Sequence, residues 1–98
     1  MPSESLQKRD AVHDEATFVE FLTALASDRE DEVAKEKKKP PSPYGSAVNG
    51  WENGTIEAFL GASAAWAEAS KRGLQFYVRP DNVWKRCADI LYAGKIYE

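Results

Sequence analysis

Ten residues constrain this chain more than any others: Trp51-Glu52-Asn53-Gly54-Thr55-Ile56-Glu57-Ala58-Phe59-Leu60. They hold an aromatic anchor, two residues able to cap a helix and the start of an amphipathic helix. Asn53 or Thr55 can offer a side-chain oxygen to the unpaired N–H groups of a first turn. From there Ile56, Phe59, Leu60, Ser63, Trp66, Ala67 and Ser70 recur at helical spacing, which predicts one inward face. The small run Gly61, Ala62, Ser63, Ala64 and Ala65 lets another helix approach closely, and Gly61 costs about 1 kcal/mol against Ala. Lys71 and Arg72 suit the negative end of the helix dipole, and Gly73 is a ready left-handed cap.

Two more helices follow from the same signals. Asp14 is a good N-cap with Glu15 in the first turn, and Phe18, Phe21, Leu22 and Leu25 form a stripe. That stripe stops at Leu25. Residues 28–39 then carry five acids and five bases, with only Val33 to bury, which predicts a solvated, mobile extension. An Asp31–Lys35 pair would support helical continuation by about 0.2–0.5 kcal/mol. Pro40-Pro41-Ser42-Pro43 ends any helix, because proline lacks the donor and restricts its predecessor. Residues 40–50 read as a long loop. The last helix starts at Asp81 after Pro80, buries Trp84, Cys87, Ala88 and Leu91, and stops at Gly94, with Ile96 and Tyr97 folding back. Leu74-Gln75-Phe76-Tyr77-Val78-Arg79 is aromatic and β-branched, but no second strand exists to pair with it. An extended segment packed on the core is expected over 74–79.

The fold class is therefore all-α: a small bundle of three main helices, about 14–28, 54–72 and 81–93, with a long Pro-rich loop. One helical domain over 12–98 follows a polar, frayed tail at 1–11. The expected core is Phe18, Leu22, Leu25, Ile56, Phe59, Leu60, Trp66, Trp84, Ala88 and Leu91.

Ninety-eight residues suit one domain, and size scaling gives burial of about 65% of the chain's surface, enough for a modest core. The net charge of −3 lies in residues 1–43, with seven Lys/Arg against ten Asp/Glu; residues 44–98 hold six of each. This balance argues against nucleic acid, which requires a basic stripe, and suits a basic protein partner. Cys87 is the single cysteine, so no intrachain disulfide forms. Met1-Pro2-Ser3-Glu4-Ser5 leads into no apolar run, and no stretch approaches the ~20 residues of a membrane span. The expectation is a cytoplasmic protein without membrane contact.

The chemistry-bearing residues do not assemble into a signature. His13 with Cys87 supplies two soft ligands, short of a structural zinc set, and no metal or cofactor is expected. Glu52 and Glu57 flank a helix start, where acids complement the dipole more simply than they do acid–base work. Asn53-Gly54-Thr55 matches a glycosylation sequon but reads as a cap, and Lys35, Lys37, Lys38 and Lys39 lie among acids as a solvated face. Trp66, Trp84 and Cys87 sit on inward stripes. Trp51, just outside a helix cap, either plugs the bundle end or offers an edge to a partner. No catalytic residue is assigned. The candidate partner-binding residues are Tyr44, Trp51, Glu52 and Asn53.

Trp51-Glu52-Asn53 with Thr55-Ile56 and Phe59-Leu60, then Pro80, Trp84, Ala88, Leu91 and the ending Gly94-Lys95-Ile96-Tyr97-Glu98, resemble a family of small bacterial proteins of unknown function. The resemblance spans about residues 12–98 and implies no activity. By size and acidity, though not by motif, the chain is also similar to immunity proteins that neutralise toxins. The expectation is a non-enzymatic interaction protein, immunity-like or regulatory in its sharper version, a monomer or weak dimer. The alternative is a small ligand-binding domain or enzyme whose pocket is lined by Trp51, Trp66 and Trp84.

Overall fold

A computed structural model describes residues 2–38, 49–74 and 76–97. Four helices make up the fold: α1 (Pro2–Ala11), α2 (Glu15–Lys38), α3 (Ile56–Lys71) and α4 (Val83–Ile96), and no strand occurs among the described residues. The Pro-rich stretch and Tyr44 lie outside them. The all-α class holds, but the helix count is four, not three. The additional helix is α1, where sequence predicted a frayed tail. Ten residues are too few to hold a helix alone, so α1 depends on packing, against α2 and α4. Its inward contacts are polar: Ser5 is fully buried and donates to Asp28 Oδ2 (3.2 Å), and the Arg9 guanidinium lies 4.7 Å from the Tyr92 ring centre. Apolar periodicity cannot register such a helix.

Helix α2 likewise runs ten residues past the end expected from its stripe. Phe21, Leu25, Asp28 and Glu32 are all buried, so the inward face continues beyond Leu25 but changes from hydrocarbon to carboxylate. The Asp14 cap forms as expected, with Asp14 Oδ1 accepting from the Thr17 N–H at 2.9 Å. For α3 the cap is Thr55, whose hydroxyl oxygen accepts from the Ala58 N–H (3.1 Å), and α4 is capped by Asn82 instead of Asp81. Gly73, at φ +80°, follows the end of α3 as expected.

Gly94 does not stop α4. It lies inside the helix because α3 crosses there: a Cβ at this position would strike Ser63 Oγ and stand 2.9 Å from the Phe59 carbonyl oxygen. The α3–α4 contact is the most extensive helix pairing, and α2 and α3 make no close backbone approach at all. That topology rearranges the expected core. Phe21, Leu25, Trp51, Ala88 and Val12 form it, with Phe18, Phe59, Trp84, Leu91 and Tyr92 packed around them. Leu22, Leu60 (57% exposed) and Ile56 (78% exposed) are not in it, because α3 turns Ser63 and Ser70 inward and leaves Ile56 and Leu60 on its uncovered flank. Trp66 is half-buried against Tyr77 (4.8 Å between ring centres) instead of joining the cluster. Cys87 is exposed, since Arg86, Ala88 and Asp89 take the buried positions on α4. Of the expected extended segment, Tyr77 packs inward, while Phe76 and Val78 stand in solvent.

Candidate partner-binding groove

The space between α2 and α3 is an open groove of about 420 Å³. Leu25 and Arg29 form one wall, Ile56 and Leu60 the other, and Trp51 and Phe59 lie between them, ring centres 6.1 Å apart. Two side chains expected in the core, Ile56 and Leu60, border this recess. Burying such side chains is worth roughly 1.5–3 kcal/mol each; here that free energy is unused by folding. Arg29 is the one cation of the lining, and its guanidinium is already engaged: it donates to the Gly54 carbonyl (3.2 Å) and lies 5.6 Å from the Trp51 ring centre. Arg29 thereby ties α2 to the turn that leads into α3 and holds the end of the groove open.

Beneath Trp51 a buried polar cluster fixes the 49–53 segment. Lys95 Nζ donates to Asp28 Oδ2 at 2.5 Å, both side chains being almost fully buried. The Asn49 N–H donates to Glu32 Oε1 (3.1 Å), and its amide donates to the Asp28 carbonyl (3.2 Å) and Asp31 Oδ2 (2.9 Å). Those bonds stitch the segment to α2. The Glu52 N–H donates to the Lys95 carbonyl (2.9 Å), and the Asn53 amide donates to the carbonyls of Gly94 (3.0 Å) and Tyr97 (2.8 Å), which stitches it to α4. Trp51, between these ties, has no freedom to leave. The Asn49 amide and the Lys35 ammonium hold the Asp31 carboxyl below the ordinary aspartate value of 3.8. Three buried atoms, Asp28 Oδ1, Glu32 Oε2 and Trp51 Nε1, have no hydrogen-bond partner among the described residues. Each such group costs about 1–3 kcal/mol, so the cluster specifies the position of the segment at some expense in stability.

The structure sorts the candidate residues accordingly. Trp51 is buried and lines the groove, and Asn53 lines it as well while anchoring to α4. Glu52 is exposed beside them, and Tyr44 lies outside the described residues. The three tryptophans do not share one pocket: Trp51 meets Phe59, Trp84 meets Phe18 (5.6 Å) and Trp66 meets Tyr77. His13 is exposed at the α1–α2 turn. Among the described residues no three His, Cys, Asp or Glu side chains gather as metal ligands, and no helix is long and apolar enough to cross a membrane. Sequence reasoning missed Asp28, Glu32, Asn49 and Lys95. The available signal was spacing: Asp28 and Glu32 continue the Phe21–Leu25 stripe in phase.

Residues 14–98 match a family of unknown function, DUF7660, and the chain belongs to that family. The match begins after α1 and takes in the groove, the polar cluster and all of α4. No curated protein and no solved structure matches the chain.

Proposed function

We propose that this is a non-enzymatic protein-interaction domain that docks a basic, amphipathic helix of a protein partner in the α2–α3 groove. The observation that carries this reading is the groove itself: two helices with apolar flanks whose backbones make no close approach, over a floor tied down by hydrogen bonds. Helix-in-groove recognition requires a preformed apolar trough that accepts anchors at i, i+3 or i+4, and i+7. The charge of the partner follows from the borders. Exposed Glu57 follows Ile56 and exposed Glu30 follows Arg29, neither is paired with a cation among the described residues, and the lining cation is engaged within the domain. Lysines or arginines flanking the partner's apolar ridge would meet those carboxylates and speed association. In its sharper form the domain is a bacterial, cytoplasmic, immunity-like or regulatory protein and the partner is the toxin or factor it restrains.

The test uses two helical peptides of identical leucine ridge, one flanked by lysines and one by glutamates, titrated into the isotopically labelled chain. Resonances of residues 22–29 and 51–60 should move with the lysine peptide and stay with the glutamate peptide. Leu60→Asp and Ile56→Asp should each weaken binding by at least about 30-fold, the effect of losing a hot-spot contact. Both side chains are already exposed, so the fold should persist. Equal binding of both peptides, or shifts centred elsewhere, would remove the support for this reading.

A further inference from the structure

Helix α4 borders a second recess, of about 330 Å³, whose chemistry is unlike that of the groove. Arg9, Trp66, Tyr77, Lys85, Asp89 and Tyr92 define it. Asp89 is its buried carboxylate, and both oxygens are taken: Lys85 Nζ donates to Oδ1 at 2.5 Å and the Tyr77 hydroxyl donates to Oδ2 at 2.8 Å. Arg9 Nε stands 3.9 Å from the same carboxylate. The donor and acceptor inventory is therefore unequal. Arg9 has five N–H groups and directs two hydrogen bonds to Asp10; Lys85 has three and directs one to Asp89. Arg9 and Lys85 thus keep N–H groups beyond the bonds they make among the described residues.

The surroundings have the same sign. Arg86, 7% exposed, is held by the Ala67 carbonyl (3.3 Å), the Tyr77 hydroxyl (3.4 Å) and the rings of Trp66 and Tyr77, and by no carboxylate among the described residues. Arg9 and Lys85 thus converge on one carboxylate, with Arg86 one step away through the Tyr77 hydroxyl, in a chain whose net charge is −3. Aromatic surface completes the recess, with Trp66 and Tyr77 meeting edge to face. The wall that carries Tyr77 is held under strain. Phe76 has φ +71° and is 96% exposed, so its own side chain gives no reason for a conformation that bulky residues avoid. Such strain, of order 1–3 kcal/mol, persists where the surroundings over-determine it; here the bonds of Tyr77 to Asp89, Arg86 and the Leu74 carbonyl do so. Burial pushes the Tyr77 phenol above its ordinary value, which keeps its proton in place for Asp89.

The geometry points to a binding site for a small planar anion, an aromatic or heteroaromatic ring bearing one carboxylate or phosphate, in the recess between Arg9, Trp66, Lys85 and Tyr92. The acid group takes N–H groups of Arg9 and Lys85, and the ring lies against Trp66. A recess of this volume holds a single or fused ring. The site does not depend on the groove, and either stands without the other.

Four probes with one ring system decide it: naphthoate, naphthyl phosphate, naphthylmethanol and naphthylmethylammonium, each titrated into the full chain by calorimetry and by resonance shifts. One of the two anions should bind at least about 10-fold tighter than the alcohol, the effect of one charge-assisted hydrogen bond, and the comparison between the anions identifies the acid group. The cation should bind most weakly. Shifts should centre on Trp66, Tyr77, Lys85 and Tyr92. Lys85→Met should abolish the preference for the anion. Arg9→Met, which leaves the Lys85–Asp89 pair intact, should reduce it at least about 10-fold and serves if Lys85→Met does not fold. Leu60→Asp should leave probe binding unchanged. Equal or tighter binding of the alcohol or the cation, shifts centred on Ile56 and Leu60, unchanged affinity in Arg9→Met, or no saturable binding of either anion would overturn the inference.

Discussion

The end of the molecule around Lys95 and the groove between α2 and α3 invert each other. Around Lys95 the interior holds Asp28, Glu32, Asn49 and Lys95, groups that ordinarily stay in water. In the groove, Ile56 and Leu60, which ordinarily leave water, stay in it. The difference teaches that an amphipathic pattern identifies a helix more securely than it identifies what the helix packs against. α2 and α3 both carry apolar flanks, yet each spends its main contact elsewhere: α2 on α1, α3 on α4. Specificity at the first region comes from hydrogen bonds that only one arrangement satisfies. Availability at the second comes from apolar area that the fold does not consume.

The largest expected effect is at Lys95. Lys95→Met leaves the Asp28 carboxylate buried with only the Ser5 hydroxyl donating to it among the described residues, which should cost about 3–5 kcal/mol, the usual result of removing one partner of a buried pair. The double variant with Asp28→Asn should recover part of that loss in chemical denaturation. Equal costs for the single and double variants would break the contrast, since they would mean that Asp28 is not uncompensated once Lys95 is gone. Next comes Gly94→Ala, which forces α3 and α4 apart at Ser63 and the Phe59 carbonyl and should cost about 1–3 kcal/mol, as overpacking does.

Glu32→Gln has the opposite sign. Glu32 is fully buried, with the Asn49 N–H its one hydrogen-bond donor among the described residues, no cation partner among them and one orphaned oxygen. Removing its charge at constant shape should stabilise the fold by about 1–2 kcal/mol; a loss of stability would show that the carboxylate is compensated after all.

The acid limb of the stability curve sharpens the comparison further. Asp31 and Asp14 are both held below 3.8, by Asn49 and Lys35 and by Thr17 respectively. A depressed folded value means that their contribution is present above 3.8 and is lost as pH falls through the folded values. Asp31→Asn should therefore flatten stability against pH in that acid range, matching the parent at the lowest pH and falling below it above 3.8. The smallest effect belongs to the groove: Ile56→Ser should shift stability by no more than about 0.5 kcal/mol, as for exposed positions. A cost near 2 kcal/mol would mean that Ile56 is covered.

Much of this architecture is legible in the chain itself. Helices α2, α3 and α4 announce themselves through Asp14 and Thr55 as caps, through 3.6-residue spacing at Phe18, Phe21 and Leu25 and at Trp84, Ala88 and Leu91, and through Gly73 after the end of α3. These are local signals, set by backbone hydrogen bonding and side-chain periodicity, and they need no knowledge of a neighbour. α1 is not legible, because Ser5 and Arg9 are polar until Asp28 and Tyr92 stand beside them. Of the candidate site, Trp51 and Asn53 could be singled out as an aromatic and an amide at a helix entry. That Asn53 anchors to α4 carbonyls, while Thr55 takes the cap, depends on where residues 94–97 pass.

By itself, then, the sequence determined an all-α chain and where its three longer helices begin. Only the tertiary structure decided that Asp28 and Lys95 would share the interior, that Gly94 marks a helix crossing instead of a helix end, and that Ile56 and Leu60 would border a groove. The reason is physical: local periodicity specifies which side chains share a face, whereas burial depends on whether another face arrives to cover it, and in this fold α3 spends its approach on α4.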